Sequence, residues 1–473
     1  MKRYPLLTAV IATLVLLSTL VPSGSASGQQ AVKAFPGAMG FGTNTPGGRG
    51  GKVMYVTNLN DSGTGSLRAA LVASSPRVVL FKVAGTITLA SDIVVKNPYL
   101  TIAGQSAPGE GVQIRGAQIK IATHDVIIRY LKMRTGDAPN SSNPADRDSV
   151  TLNRGTEAYN IVVDHSTLIW GPDIGGISFL NGAHDATVSN SILGEGLYIS
   201  NHPEATLAQT GHSLALNITQ LSSSDYPTRI TVHHNLITTS SGRNPRVIGG
   251  ENIDIVNNVI YNWRNTPSQG NPRKLNLIKN YYIKGPMTTL RSAWVAWDPR
   301  AEAGGTLRAG SVFESGNLTE GFSTVRGGSN SVYANALFTP YSMTVEDSPQ
   351  DAYKKIINNA GANRQVGGID GTIIMIRDSV DQRIINNLAA RRGTFMNGVS
   401  AHGVGGFPAI SWPTLKAGTP ATDKDNDGMP DAWETAYFGS ISRGSPTDSK
   451  GDFDSDGYTD LEEYLNLTDP TAP

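Results

Sequence analysis

Two twelve-residue stretches near the end of the chain repeat one arrangement of oxygen donors. "DKDNDGMPDAWE" places Asp423, Asp425, Asp427, Asp431 and Glu434 at positions 1, 3, 5, 9 and 12, with Gly428 at position 6. "DFDSDGYTDLEE" repeats the pattern with Asp452, Asp454, Asp456, Asp460 and Glu463, and with Gly457 at the same place. Calcium takes about six to eight hard oxygens, and this spacing wraps carboxylates and the position-7 carbonyl, from Met429 or Tyr458, around one ion. A solvated acidic linker has no reason to repeat that grammar. The spacing predicts a calcium ion in each loop and short helices starting at Asp431 and Asp460.

Two other clusters have chemical potential. "ADRDSV" sets Asp146 and Asp148 two apart, so on a strand both would point to one side, where their repulsion invites a cation; a solvated turn paired to Arg147 is the alternative. "SSGRNPRVIGG", residues 240–250, carries Arg243 and Arg246 around Pro245. The proline fixes its own φ and biases Asn244 toward an extended form, which aims Arg243 in a defined direction. In "VVDHS", Asp164 and His165 read as a structural pair satisfying each other and nearby backbone.

The elements that must position these groups are short apolar runs ending in small polar residues: "NIVVDHSTLIWG", "ATVSNSILG", "RITVHHNLIT", "NIDIVNNVIYNW" and "LNLIKNYYIKG". Aligned on Ser166, Ser191, Asn235, Asn258 and Asn280, they are separated by 25, 44, 23 and 22 residues, the 44 reading as two turns of 22. A period near 22–25 with strands this short describes a coil whose every turn gives one strand to each of several parallel sheets, with asparagines stacked at a corner. A sandwich of hairpins would show Asn-Gly or Asp-Gly turns at hairpin spacing, and these are sparse. "SGTGSLRAALVAS" departs from the pattern: Leu67, Ala70 and Leu71 after Ser66 predict a short helix that covers the open end of the stack. Aperiodic loops from about residue 135 to 146, 198 to 225 and 291 to 361 are expected to overhang one face and form a groove.

Composition sets the limits. The 473 residues include no cysteine, so no disulfide contributes. A basic start at Lys2 and Arg3, an apolar run from Leu6 to Leu20 and small residues around Ala26 predict a secretory signal over residues 1–27, hence an extracellular protein with no membrane span once it is removed. The net charge of zero conceals a division: residues 423–473 carry −10 and residues 28–422 carry +8. A basic body suits an acidic polymer, and nothing in the pattern favours nucleic acid.

Several stretches together resemble the extracellular pectate lyases of the parallel β-helix type: "VTNLNDSGTGSLRAAL", "VVLFKVAGTITL", "LTIAGQSAPGEGVQI", "DVIIRYLKMRTGD", "NIVVDHSTLIWGPD", "ATVSNSIL", and "RNPR" followed by "IDIVNNVIYNW". The likeness is good over residues 35–290, poor over 291–410, and good again in the tail, which resembles dockerin-like calcium modules. It implies an all-β fold, a right-handed single-stranded parallel β-helix over residues 28–410, followed by a linker at 411–422 and a small calcium-binding module at 423–473. It further implies calcium-dependent β-elimination of polygalacturonate. On that resemblance Arg243 is the proposed base, and Asp146, Asp148 and Asp173 hold calcium. The family's second acidic ligand on the Asp173 coil falls near Ser178, its arginine five places after the base falls on Ile248, and its lysine is missing from "EGLYISNH". Arg246, His202, Arg264 and Arg273 are the candidates to bind substrate in their stead. Trp170, Tyr198, Trp263, Trp294 and Trp297 are candidates for stacking on sugars or for packing.

The expected protein is a monomeric, secreted lyase acting on an acidic polysaccharide, with the tail available for attachment to a surface or complex. The alternatives are a β-helix that binds pectin without cleaving it, a structural attachment protein, and a glycoside hydrolase on the same coil, which would need an acid pair that the sequence does not identify.

Overall fold

The computed structural model describes residues 32–473 except 138–142, 154–156, 209–210, 222–224, 265, 290–294, 297–307, 322–329, 340–346, 367–372, 444 and 446. The expected signal segment, Trp294 and Trp297 lie outside the described residues.

Each apolar run forms one short strand, and successive strands go to different sheets. Among the described residues they stack into three parallel sheets of ten, nine and eight strands, the architecture of a parallel β-helix. Strands of two to seven residues bury too little surface to stand alone; stacking in register supplies the missing neighbour. Val79, Ile102, Ile128, Val163, Val188, Val232, Ile255 and Leu277 are successive register partners along the ten-stranded sheet, and all are buried in the interior.

A polar ladder holds one corner. The Ser166 N–H donates to Ser191 Oγ, and Ser191 to Asn235, Asn235 to Asn258, Asn258 to Asn280 and Asn280 to Asn317 each pass a backbone N–H to the next side-chain oxygen at 2.8–3.0 Å. The residue before each rung adopts a left-handed conformation, from φ 45 at His165 to φ 66 at Gly316, which turns the chain sharply between sheets. The ladder corrects the expectation of two turns between Ser191 and Asn235. They are rungs of adjacent coils, and strand Ile192–Gly194 pairs directly with Leu236–Thr238. One long coil fills the 44 residues, because the chain leaves the stack after strand Ile192–Gly194 and returns to it at strand Leu214–Thr219.

Two outer faces of the coil are covered. Helices α2 (Pro349–Asn359) and α3 (Ser379–Ala389) lie on the nine-stranded sheet, where Ile356, Ile384, Ile385 and Leu388 pack on Ile169, Ile192, Leu236, Val259 and Ile283. The aperiodic stretch ending near residue 361 therefore includes a helix, which roofs a different face from the groove. The ten-stranded sheet is covered by Phe35 and Ala38 on Ile127 and Val162, and by tail helices α4 (Asp431–Phe438) and α5 (Asp460–Asn466) on Val78 and Leu80. At the open end, α1 (Leu67–Val72) is capped by Ser66 and puts Leu67, Ala70 and Leu71 into the interior. The eight-stranded sheet keeps a polar outer face, and there the functional groups collect.

Candidate active site

Alternation along the strands of the eight-stranded sheet builds the floor of a groove. Ile119, Ile121, Val150, Leu152, Ile177, Phe179, Leu216, Ile218 and Val247 point inward and are buried in the core. The residues that alternate with them, Lys120, Thr151, Ser178, Asn217 and Arg246, are register partners and form one outward row that steps by about 4.8 Å per strand. The groove over this row has a volume of about 1030 Å3. That exceeds the range of roughly 300–1,000 Å3 typical of small-ligand pockets and suits an extended chain.

A second column of side chains stands where successive coils enter the same sheet. Asp148 precedes strand Val150–Leu152, Asp173 precedes Ile174–Leu180, His212 precedes Leu214–Thr219 and Arg243 precedes Arg246–Ile248. Backbone hydrogen bonds from Asp173 N to Arg147 O (3.0 Å) and from Leu216 N to Arg243 O (2.8 Å) tie these turns together. Arg243 has φ 55, so the backbone itself is turned back at this point. Its Nη1 lies 3.8 Å from Asp173 Oδ1, and His212 Nε2 lies 3.1 Å from the same oxygen.

The electrostatics are those of a crowded, partly dry cleft. Asp148 is buried, and its carboxyl is pushed up to about 8, first by burial and then by the charge of Asp173. Its oxygens accept hydrogen bonds from Ile174 N at 3.1 Å, from the Thr151 hydroxyl at 2.9 Å and from Ser178, which oppose that rise. Burial also holds the Arg243 guanidinium below its ordinary value, against the pull of Asp173 and Asp148.

Asp146 and Asp148 both line the groove, but not as strand neighbours. Pro144 and the Asn143 cap on Ala145 N start a 3-10 turn that Asp146 ends, leaving Asp146 exposed with its carboxylate accepting from Asn143 at 3.0 Å. Arg246 and Arg273 line the groove, with Arg273 over the Tyr226 ring; Arg264 stacks over Tyr198 instead and is not among the lining residues. His202 stacks on His212 with ring centroids 3.9 Å apart, and Asp173, His202 and His212 present ligand atoms within 4.8 Å of one another. Because the rings are nearly parallel, their in-plane lone pairs do not converge; His212 braces Asp173 and His202 stacks behind it. Ile248 lines the groove as an apolar wall. Trp170, Trp263 and Tyr198 are buried in packing clusters, so none of the three offers a free face to a sugar.

Sequence reasoning missed Lys120, Glu204, His212 and Arg308, all of which line the groove. Lys120 was legible as the outward residue of "QIKIA" once its register with Thr151 was known. His212 and Glu204 sit in the long aperiodic coil, where spacing carries no signal.

The chain is 31% identical over 460 residues to a probable pectate lyase C of Aspergillus terreus, covering 93% of this chain and 95% of that protein. It is 32% identical over 451 residues to a probable pectate lyase C of Aspergillus fumigatus, with the same coverage. The chain belongs to the pectate lyase family of polysaccharide lyases. No protein-family model matches it. Among solved structures, the cedar pollen allergen jun a 1 has the same fold, with a TM-score of 0.51, 19% identity, and coverage of 68% of this chain and 92% of that one. Asp148, Asp173 and Arg243 occupy one face and one column of the groove, and Ser178 and Ile248 line it beside them.

In the tail, the two loops have the same internal bracing. The position-9 carboxylates, Asp431 and Asp460, each accept from the backbone N–H of position 2: Lys424 N at 2.9 Å and Phe453 N at 3.0 Å. Asp431 is further paired with Lys424 Nζ at 2.9 Å, and Asp460 with Arg443. Asp452, Asp454 and Asp456 present ligand atoms within 4.8 Å of one another, and both carboxylate oxygens of buried Glu463 lack a hydrogen-bond partner. An acid left so is pushed up, to about 8 for Glu463, by burial and by Asp454 and Asp456.

Proposed function

We propose that this chain is a secreted, calcium-dependent lyase that cleaves polygalacturonate by β-elimination, with Arg243 as the base and the tail loops as further calcium sites. The observation that carries this reading is the convergence of the Arg243 guanidinium with Asp173 and Asp148 on the sheet face that, among the described residues, is left open to an extended polymer. Lys120, Arg246, Arg273 and Arg308 line the same groove and suit a chain bearing one carboxylate per sugar. The secretion part rests on the basic and apolar start of the sequence; among the described residues no helix is long and apolar enough to cross a membrane.

Asp148 and Asp173 fit a hard cation through their oxygens, and a calcium ion held there supplies charge neutralisation of the uronate carboxylate, which acidifies the C5 proton. Arg243 removes that proton, the electron pair forms the C4–C5 double bond, and the C4–O4 bond breaks with its pair on oxygen, which takes a proton from water. With Ser178 where a further carboxylate could stand, the oxygen set that the protein itself would offer an ion is thin, and a substrate carboxylate would complete it. His212 and Glu204 hold Asp173 in place, His212 Nδ1 lying 3.4 Å from Glu204 Oε2. Burial lowers the Arg243 pKa, so the fraction of guanidine free of its extra proton grows with pH, and turnover is expected to rise on the alkaline side.

The test is an assay with polygalacturonate and calcium, read by ultraviolet absorbance of unsaturated ends, on wild type and Arg243→Ala with and without chelator. Unsaturated product that depends on both calcium and Arg243 supports the proposal. Retained binding without unsaturated product supports the non-cleaving pectin binder, and equal wild-type and variant rates remove Arg243 from the role of base.

A further inference from the structure

The first tail loop contains a cluster that its own twelve residues do not complete. Asp425, Asp427, Glu434 and Asp448 present ligand atoms within 4.8 Å of one another, and Asp448 lies fourteen residues beyond the loop's last donor, in the turn Asp448–Lys450. Glu434 is fully buried with neither oxygen hydrogen-bonded, and the same holds for both oxygens of Asp425, for Asp427 Oδ2 and for Asp448 Oδ1. Six buried carboxylate oxygens therefore face one another without a donor. Nearby cations serve the outer oxygens only: Arg443 Nε binds Asp448 Oδ2 at 3.1 Å, Lys82 Nζ lies 3.7 Å from Asp423 Oδ2, and Lys424 is taken by Asp431. Burying even one unpaired carboxylate is costly, and here four converge.

The cluster sits directly behind a docking surface. Met429, whose carbonyl is at position 7, and Trp433, which precedes Glu434, are buried with Leu461, Tyr464 and Leu465 against Val78, Leu80 and Ala103 of the β-helix. The Tyr55 hydroxyl donates to Asp423, and Lys82 donates to Asn426 Oδ1 at 2.9 Å. The loop apex is pressed on the body: a Cβ at Gly428 would stand 2.9 Å from Leu461, 3.1 Å from Leu80 and 3.2 Å from Val53. Arg49 grips Glu462 of α5 through Nε at 2.8 and 3.0 Å, and Arg129 reaches Asn466 at 2.6 Å.

We infer that Asp425, Asp427, Glu434 and Asp448 hold one divalent calcium ion, and that this ion is a structural clasp that fixes the tail onto the first coils of the β-helix. An all-oxygen set of this size suits calcium over a metal that selects nitrogen or sulfur. The ion draws Asp448 to the loop and sets the direction of α4, and α4 carries Trp433 into the body. The tail is then part of the lyase fold, holding Lys52–Val56 and Arg77–Phe81, the first two strands of the ten-stranded sheet. This inference rests on reading the tail loops as calcium sites and is independent of the chemistry in the groove.

The experiment is calorimetric titration of the full-length protein with calcium, alongside Asp448→Asn and, as a control in the other loop, Glu463→Gln, with limited proteolysis of each protein in calcium and in chelator. Circular dichroism checks that each variant retains its sheet content. Wild type is expected to bind calcium and to keep residues 423–473 uncut in calcium, while chelator exposes them. D448N is expected to lose about tenfold or more in affinity at one site and to expose the tail at calcium levels that protect E463Q. No calcium uptake by wild type overturns the calcium reading and the clasp together. Uptake by wild type with D448N unchanged overturns the clasp alone, as does a tail that stays protected in chelator.

Discussion

The groove and the tail both gather carboxylates, and they treat them in opposite ways. In the groove, Asp148 receives the Thr151 hydroxyl, Ser178 and the Ile174 N–H, and Asp173 is held by His212 and faces Arg243. In the tail, Glu434 and Glu463 are buried with no donor at all. Protein donors already satisfy part of the groove's carboxylate oxygens, and on the proposed reading the groove takes a cation together with an acidic ligand. Glu434 and Glu463 have no such internal answer, and on the proposed reading a resident cation supplies it. One element can thus be catalytic and the other structural, though both are built from aspartates at short spacing.

The comparison can be broken most forcefully at Trp433. Trp433→Ala empties the tail dock and is expected to cost about 3–5 kcal/mol in unfolding free energy, read by denaturant melts. Lyase turnover per folded molecule should nevertheless persist, and a loss of both together would mean that groove and tail are one cooperative device. Arg243→Ala is the complementary cut: turnover should fall by about 100-fold or more while the melt and the tail's resistance to protease stay unchanged. Ser178→Asp moves the groove toward the tail's condition. Without calcium it removes a donor from Asp148 and adds a like charge, destabilising the fold by about 1–3 kcal/mol. With calcium it should lower the concentration needed for half-maximal turnover; a higher requirement would contradict the thin-shell account. The smallest effect is expected from Arg246→Ala, a rise in KM of about threefold to tenfold with kcat little changed, consistent with a charge that holds the polymer at the floor of the groove.

How much of this was legible beforehand varies with the kind of signal. The helix after Ser66, the helix starts at Asp431 and Asp460 and the corner ladder were readable because each depends on neighbours in sequence or on a repeated spacing. The Asp164 and His165 pair was readable for the same reason: they are adjacent, with Nδ1 2.7 Å from the carboxylate. The 44-residue interval misled, since a coil with a long excursion and two regular coils have the same length. Lys120, His212 and Asp448 were hidden because their partners are on other coils or outside the repeating loop.

The amino-acid sequence by itself determined the alternation that makes each strand, the stacked polar corner and the oxygen spacing of the tail loops, because all of these are fixed by local geometry and periodicity. The tertiary structure alone decided which sheet face stays open, that Asp148, Asp173, His212 and Arg243 fall into one column, and that Asp448 closes a loop it does not belong to. The physical reason is that burial and charge are properties of the space around a group: only when coils are stacked does a carboxylate either find its donors or lose them.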